Sequence, residues 1–190
     1  SKKWFQVKVN PVWEGRTLYD LYEWAYTPWE WLPELKKIAN SYKVSFFSSV
    51  FDKTAVDFME KMGVPAYKIA SFELVDLELL KKVAQTGKPV IISRGMATQE
   101  ETKLALATLK DNGASEIALL HCISSYPANI EEMNLATISD LKKRFPDVVI
   151  GLSSHALGFF DAVVSVAFGT CIIEKHFTLR RADGGPDAAF

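Results

Sequence analysis

Two of the chain's histidines stand just beyond apolar runs that read as strands: His155 in VVIGLSSHALG and His176 in CIIEKHF. Side chains alternate along a strand, so Gly151, Ser153 and His155 share one face of the first run. Ile172, Glu174 and His176 share one face of the second. Neutral imidazoles on adjacent strand ends can hold one divalent ion and leave positions for water and substrate oxygens. Spacing alone leaves open a plainer reading, in which both are hydrogen-bonded structural histidines. The third, His121 in ALLHCISSYP, has the parity opposite to Ser124, which points it at a helical layer in a structural role.

Lys68 in AYKIAS has Tyr67 and Ile69 on the other face and only Ala66 and Ala70 on its own, which leaves room around its ammonium. A cation so placed suits a phosphate or carboxylate. Its alternative is a stem laid along a wall with the head in water. Ser71, Ser93, Ser124 and Ser153 could each give such an anion one hydrogen bond. Arg94 in SRGM is a further anion contact or simply a solvated side chain.

Elements must carry these residues to one place. Strand patterns occur at 44–50, 66–70, 89–93, 116–122, 148–152 and 171–175. Between them lie amphipathic helices, among them DKTAVDFMEKMG, LVDLELLKKVAQTG and TQEETKLALATLKDNG, the first and last opening on good N-caps and all three ending at glycine. Short apolar strands alternating with helices predict parallel pairing with both faces covered. Lys68, Ser93, Ser124, His155 and His176 all fall at C-terminal strand ends, and a closed barrel brings that many ends around one point. The expected fold class is α/β, an incomplete (β/α)8 TIM barrel with about six of eight strands visible and the first two missing, because barrels usually need about 250 residues. The early segment offers only WFQVKV as a strand, followed by helix, a Thr-Pro break and helix. Residues 1–190 are therefore expected to be a partial barrel domain from a longer protein.

Composition narrows the function classes. Lys+Arg 22 against Asp+Glu 23, interleaved for a net charge of -1, gives no basic field for nucleic acid. The two cysteines, Cys122 and Cys171, form neither a disulfide framework nor a zinc cluster. No apolar run approaches the roughly 18 residues of a membrane span, and SKKWFQ is not a signal peptide, which predicts a cytoplasmic protein without membrane partners.

The stretches WEGRTLYDLYEWAYTPWEW, FFSSVFD, YKIASFE, VIISRGMAT, CISSYPA, IGLSSHALG and IIEKHFTLRRADGGPDAAF run in order along the whole chain. They resemble the sialic acid synthase family, most of all its pseudaminic acid branch, to which LYDLYEWAYTPWEW points. The resemblance implies a (β/α)8 barrel followed by an antifreeze-like domain that this chain lacks. It implies a carbon–carbon bond-forming transferase that condenses phosphoenolpyruvate with an N-acetylated amino sugar and releases phosphate, as a homodimer when full length. It assigns His155 and His176 to a divalent metal, manganese first, with magnesium or cobalt as alternatives. It places Lys68, Ser71, Ser93, Ser124 and Ser153 in the phosphoenolpyruvate pocket, with Ser49 near it. Glu73, Tyr126, Glu174 and Asp187 fall around the sugar and the reacting carbon, with Glu174, Glu73 and Lys68 as the catalytic set. Two positions depart from the family pattern: Ser154 replaces a usual aspartate and Arg94 a usual threonine. By parity both point away from the lumen. Synthases of N-acetylneuraminic or legionaminic acid are the sister reading, and an inactive barrel remnant serving binding or assembly is the non-enzyme one.

Overall fold

The computed structural model describes residues 5–7, 14–185 and 188, which divide into two compact units, one within Ser1–Ser45 and Thr178–Ala189 and one within Phe46–Phe177. In the first unit, Thr17 caps helix α1 (Leu18–Ala25) by accepting from the Asp20 amide at 3.1 Å. Tyr26 leaves helical geometry ahead of Thr27-Pro28, and a short 3-10 turn (Trp29–Trp31) leads into α2 (Leu32–Ser41). The expected helix, break and helix are thus present. The WFQVKV strand falls partly outside the described residues; within them, Gln6 makes one isolated antiparallel bridge to Thr17.

The second unit repeats helix and strand: α3 (Lys53–Met62), β1 (Tyr67–Ile69), α4 (Leu77–Ala84), β2 (Val90–Arg94), α5 (Gln99–Asp111), β3 (Ile117–Cys122), α6 (Ala136–Arg144), β4 (Val149–Ser154), α7 (Phe160–Ala167) and β5 (Ile173–Lys175). Local chemistry sets the boundaries. Asp52 caps α3 by accepting from the Thr54 and Ala55 amides, and Gly63 ends it in left-handed geometry at φ 64°. Thr98 and Glu101 form a reciprocal capping box on α5. The middle helix begins later than its apolar pattern suggests. Asp76 accepts from the Leu79 amide and starts α4 there, after a separate 3-10 turn at Glu73–Val75.

All five strands are parallel, in the order β1-β2-β3-β4-β5. A doubly wound sheet reverses direction at a switch point and carries helices on both faces. Here every crossover steps to the next neighbour in the same direction. With right-handed crossovers, that winding puts the helices on one face and leaves the other as the concave side of a half-barrel. Tyr67, Ile69, Ile92, Leu119, Ile150 and Leu152 face the helices and are buried.

One strand expectation is corrected. Of 44–50, only Ser49 bridges Lys68, through the bonds Val50 N to Lys68 O at 3.2 Å and Lys68 N to Ser48 O at 3.4 Å. The start of that stretch is committed elsewhere, because the Val44 amide donates to Ala39 O and closes the end of α2. The described residues therefore hold five strands and an edge bridge rather than six strands.

Candidate active site

The concave face gathers a connected polar row across four strands. Lys68 Nζ, on β1, donates to Ser93 Oγ on β2 at 3.0 Å and lies 3.4 Å from Glu174 Oε1 on β5. Ser153 on β4 donates to the same Glu174 oxygen at 2.7 Å. Lys68 is 7% exposed and Ser93 and Ser153 are each 2% exposed, so the cation is committed to partners within the wall. The Ser153↔Glu174 register places that pair side by side. Below them Gly151 leaves room for Leu120: a Cβ there would lie 2.4 Å from Leu120 Cδ2 and 2.6 Å from Ile172 O. An apolar floor under a polar mouth results.

Above the row stand the two imidazoles. His155 and His176 have ring centroids 5.2 Å apart. Tyr126 lies against both, 4.0 Å from the His155 ring and 6.1 Å, edge-on, from that of His176. His155 Nδ1 donates to Ile123 O at 2.8 Å, and since a carbonyl only accepts, the lone pair of the neutral ring is on Nε2. Burial also holds the His155 pKa below its ordinary value, favouring the neutral, ligand-competent form. Burial raises the Tyr126 phenol to about 12, so it stays a protonated donor. Among the described residues no group of three or more His, Cys, Asp or Glu side chains forms a metal cage. The donor set fits an ion held by two imidazoles, with oxygens from water or substrate in the other positions.

A second cluster lies at the β1 and β2 ends. The Gly95 amide donates to Ser71 Oγ at 3.1 Å, and a Cβ on Gly95 would fall 2.0 Å from Ser124 Oγ and 2.8 Å from Ser71 Oγ. The missing side chain is what lets the two hydroxyls converge. Glu73 is half-buried, with Oε2 buried and unbonded, and burial raises its pKa against the opposing pull of Lys68. Ser49 meets Lys68 through its backbone bridge. Asp187 lies outside the described residues.

The remaining positions behave as parity predicts. Arg94 turns to the helical side, donating to Thr102 Oγ1 at 3.2 Å and Ala97 O at 2.7 Å, so it ties down the loop after β2 rather than meeting an anion. His121 is buried with Nε2 donating to Met133 O at 2.7 Å. Ser154 also faces outward, bonded by Lys175 Nζ at 3.2 Å. The sequence reading did not single out Gly95 or Lys175. A glycine between Arg94 and Met96 was the available signal for the first; for the second there was only its place between Glu174 and His176.

The winding defines an α/β chain of the barrel class. Residues 1–190 match the NeuB family over their whole length, and the chain belongs to that family. It is 41% identical to a pseudaminic acid synthase of Helicobacter pylori over 179 residues, 94% of this chain and 52% of that protein. An N,N'-diacetyllegionaminic acid synthase of Campylobacter jejuni is 41% identical over 156 residues, 81% of this chain and 46% of that protein. The crystal structure of an N-acetylneuraminic acid (sialic acid) synthetase from Leptospira borgpetersenii superposes with a TM-score of 0.85 at 34% identity, covering 90% of this chain and 59% of that one. The chain thus spans about half the length of the curated relatives it matches. The motif resemblance to sialic acid synthases is shown by these matches. No helix among the described residues is long and apolar enough to cross a membrane.

Proposed function

We propose that this chain forms part of the barrel of a pseudaminic acid synthase, which condenses phosphoenolpyruvate with 2,4-diacetamido-2,4,6-trideoxy-altrose and releases phosphate. One observation carries the reading: the Lys68, Ser93, Ser153 and Glu174 row stands directly below the His155 and His176 pair, at one end of one face. In this reading the five strands and the Ser49 bridge correspond to the third to eighth strands of a barrel. The first two strands and an antifreeze-like domain belong to the parts of the relatives that this chain does not span.

Lys68, Ser71, Ser93, Ser124 and Ser153 bind phosphoenolpyruvate, exchanging part of the Lys68–Glu174 contact for the ligand's negative charge. His155 and His176 would hold a divalent ion, manganese first, and the chemistry it would supply when bound is Lewis-acid polarisation of the sugar's aldehyde oxygen. C3 of phosphoenolpyruvate forms the new bond to the aldehyde carbon, and positive charge develops at C2. Glu174 and Glu73 stabilise that charge. Water then adds at C2 and gives up one proton, which the alkoxide left on the former aldehyde carbon takes; the C2–O bond to the phosphate oxygen breaks, phosphate leaves with the bonding pair, and the C2 hydroxyl loses its proton with it to give the 2-keto acid. Tyr126 and Asp187 contact the sugar.

The sister reading is a legionaminic or neuraminic acid synthase. The match to the pseudaminic enzyme favours the first reading, because at equal identity it runs over 179 residues against 156. Phosphate release by the full-length protein, supplied with manganese, phosphoenolpyruvate and each sugar, tests this. Turnover is expected with the diacetamido-trideoxy sugar. Release with N-acetylmannosamine alone would overturn the assignment.

A further inference from the structure

The ladder between β4 and β5 ends at the pair Ser154↔Lys175, one residue before His155 and one before His176. Between β4 and β5 the two imidazoles therefore hang from backbone that this ladder no longer pairs, although on its other side the β4 end still makes an isolated parallel bridge, Ala128↔Ala156. Behind them, on the helical side, Lys175 Nζ reaches past that last pair to donate to Ala156 O at 2.6 Å, and it bonds Ser154 Oγ at 3.2 Å on the way. Ala156 follows His155 directly, and the other flank of this turn is fixed by the Ala128 amide donating to His155 O at 3.0 Å. Lys175 thus supplies, with its side chain, the cross-strand tie that the backbone stops giving.

We propose that Lys175 is a positioning residue that fixes the spacing of the imidazole pair from behind. The proposal rests on the reading of His155 and His176 as sharing one ion. Of the two ties that the ammonium makes, the one to Ala156 O at 2.6 Å is shorter than the one to Ser154 Oγ at 3.2 Å, so the contact beyond the ladder is the closer one. By strand parity Lys175 lies on the face of β5 opposite to Glu174 and His176. It acts by narrowing the range of His155–His176 separations around 5.2 Å.

The test uses the full-length protein with Lys175→Met, Lys175→Gln as a polar variant too short to reach Ala156, and Lys175→Arg as the conservative one. Three quantities are read: the imidazole separation in metal-free crystals, the Kd for Mn(II) by electron paramagnetic resonance titration, and the KM for phosphoenolpyruvate. Lys175→Met and Lys175→Gln are expected to widen the separation and weaken Mn(II) by about 10–100-fold, the usual cost of losing a group that orients a metal ligand. The phosphoenolpyruvate KM should stay within about twofold, and Lys175→Arg should keep most of the metal affinity. A folded Lys175→Met or Lys175→Gln variant with unchanged separation and Mn(II) affinity would overturn the proposal, as would parallel weakening of metal and phosphoenolpyruvate. Should the parent bind Mn(II) no better than His155→Ala, the shared-ion reading fails, and the crystallographic separation still decides the role of Lys175.

Discussion

Glu174 Oε1 takes a hydrogen bond from Ser153 at 2.7 Å and lies 3.4 Å from Lys68 Nζ, so one oxygen joins three strands. Removing the cation should be felt twice, as a lost anion contact and as a carboxylate without its counter-charge. Hydrogen bonds to charged groups are worth about 1.5–3 kcal/mol, which corresponds to roughly a 10–100-fold effect. Lys68→Met is accordingly expected to raise the phosphoenolpyruvate KM by that order in steady-state assays of the full-length protein. A KM equal to the parent's would show that the ammonium serves only the wall. Much of this residue-scale picture was legible from strand parity: it aligned Ser153 with His155 and Glu174 with His176, and it turned Ser154, Arg94 and His121 away. The contacts themselves were not. Parity gives a direction, whereas the Lys68–Glu174 approach depends on the curl of a sheet whose β1 and β5 stand four strands apart.

Caps and close approaches control the elements, and each carries its own cost. Thr98→Ala removes the side-chain half of the α5 capping box, the hydroxyl that accepts from the Glu101 amide, and should destabilise the protein by about 1 kcal/mol, read as a lower denaturant midpoint at unchanged slope. Gly151→Ala meets Leu120 Cδ2 and the Ile172 carbonyl within 2.6 Å, and overpacking of this kind costs about 1–3 kcal/mol. A stability equal to the parent's would mean that β4 and β5 separate more easily than their register implies. The N-caps of α3 and α5 were legible in Asp52 and Thr98. The stretch at 44–50 carries the β-branched and aromatic residues of a strand, but such residues do not say where the hydrogen bonds go, and only Ser49 makes a bridge. Val44 spends its amide on closing α2. Likewise the apolar run from Leu74 concealed that Asp76 starts α4.

At the scale of the molecule, the gathering of polar residues at C-terminal strand ends predicts a barrel, and the sequential parallel winding agrees with it as a half-barrel of five strands among the described residues. Burial of two histidines adds a pH dependence. His121 and His155 both have pKa values lowered first by burial, so the unfolded chain takes up their protons near the ordinary 6.5 while the folded chain resists. Their contribution to stability is complete above that value and is lost as pH falls below it. Melting temperature should therefore drop between about pH 7.5 and about pH 5.5, and His121→Gln, which keeps a donor for Met133 O, should drop less. Equal losses in parent and variant would contradict this. The family match joins these scales, since a chain 41% identical to a pseudaminic acid synthase carries the lysine, serines, carboxylates and imidazoles on one face. The shared-ion site is tested most directly by a crystal structure of the full-length protein soaked with manganese and phosphoenolpyruvate. One ion bonded to both His155 and His176 is expected, with the phosphate against Lys68 and Ser93. An ion bound by only one of these imidazoles, or phosphoenolpyruvate seated away from Lys68, would contradict it.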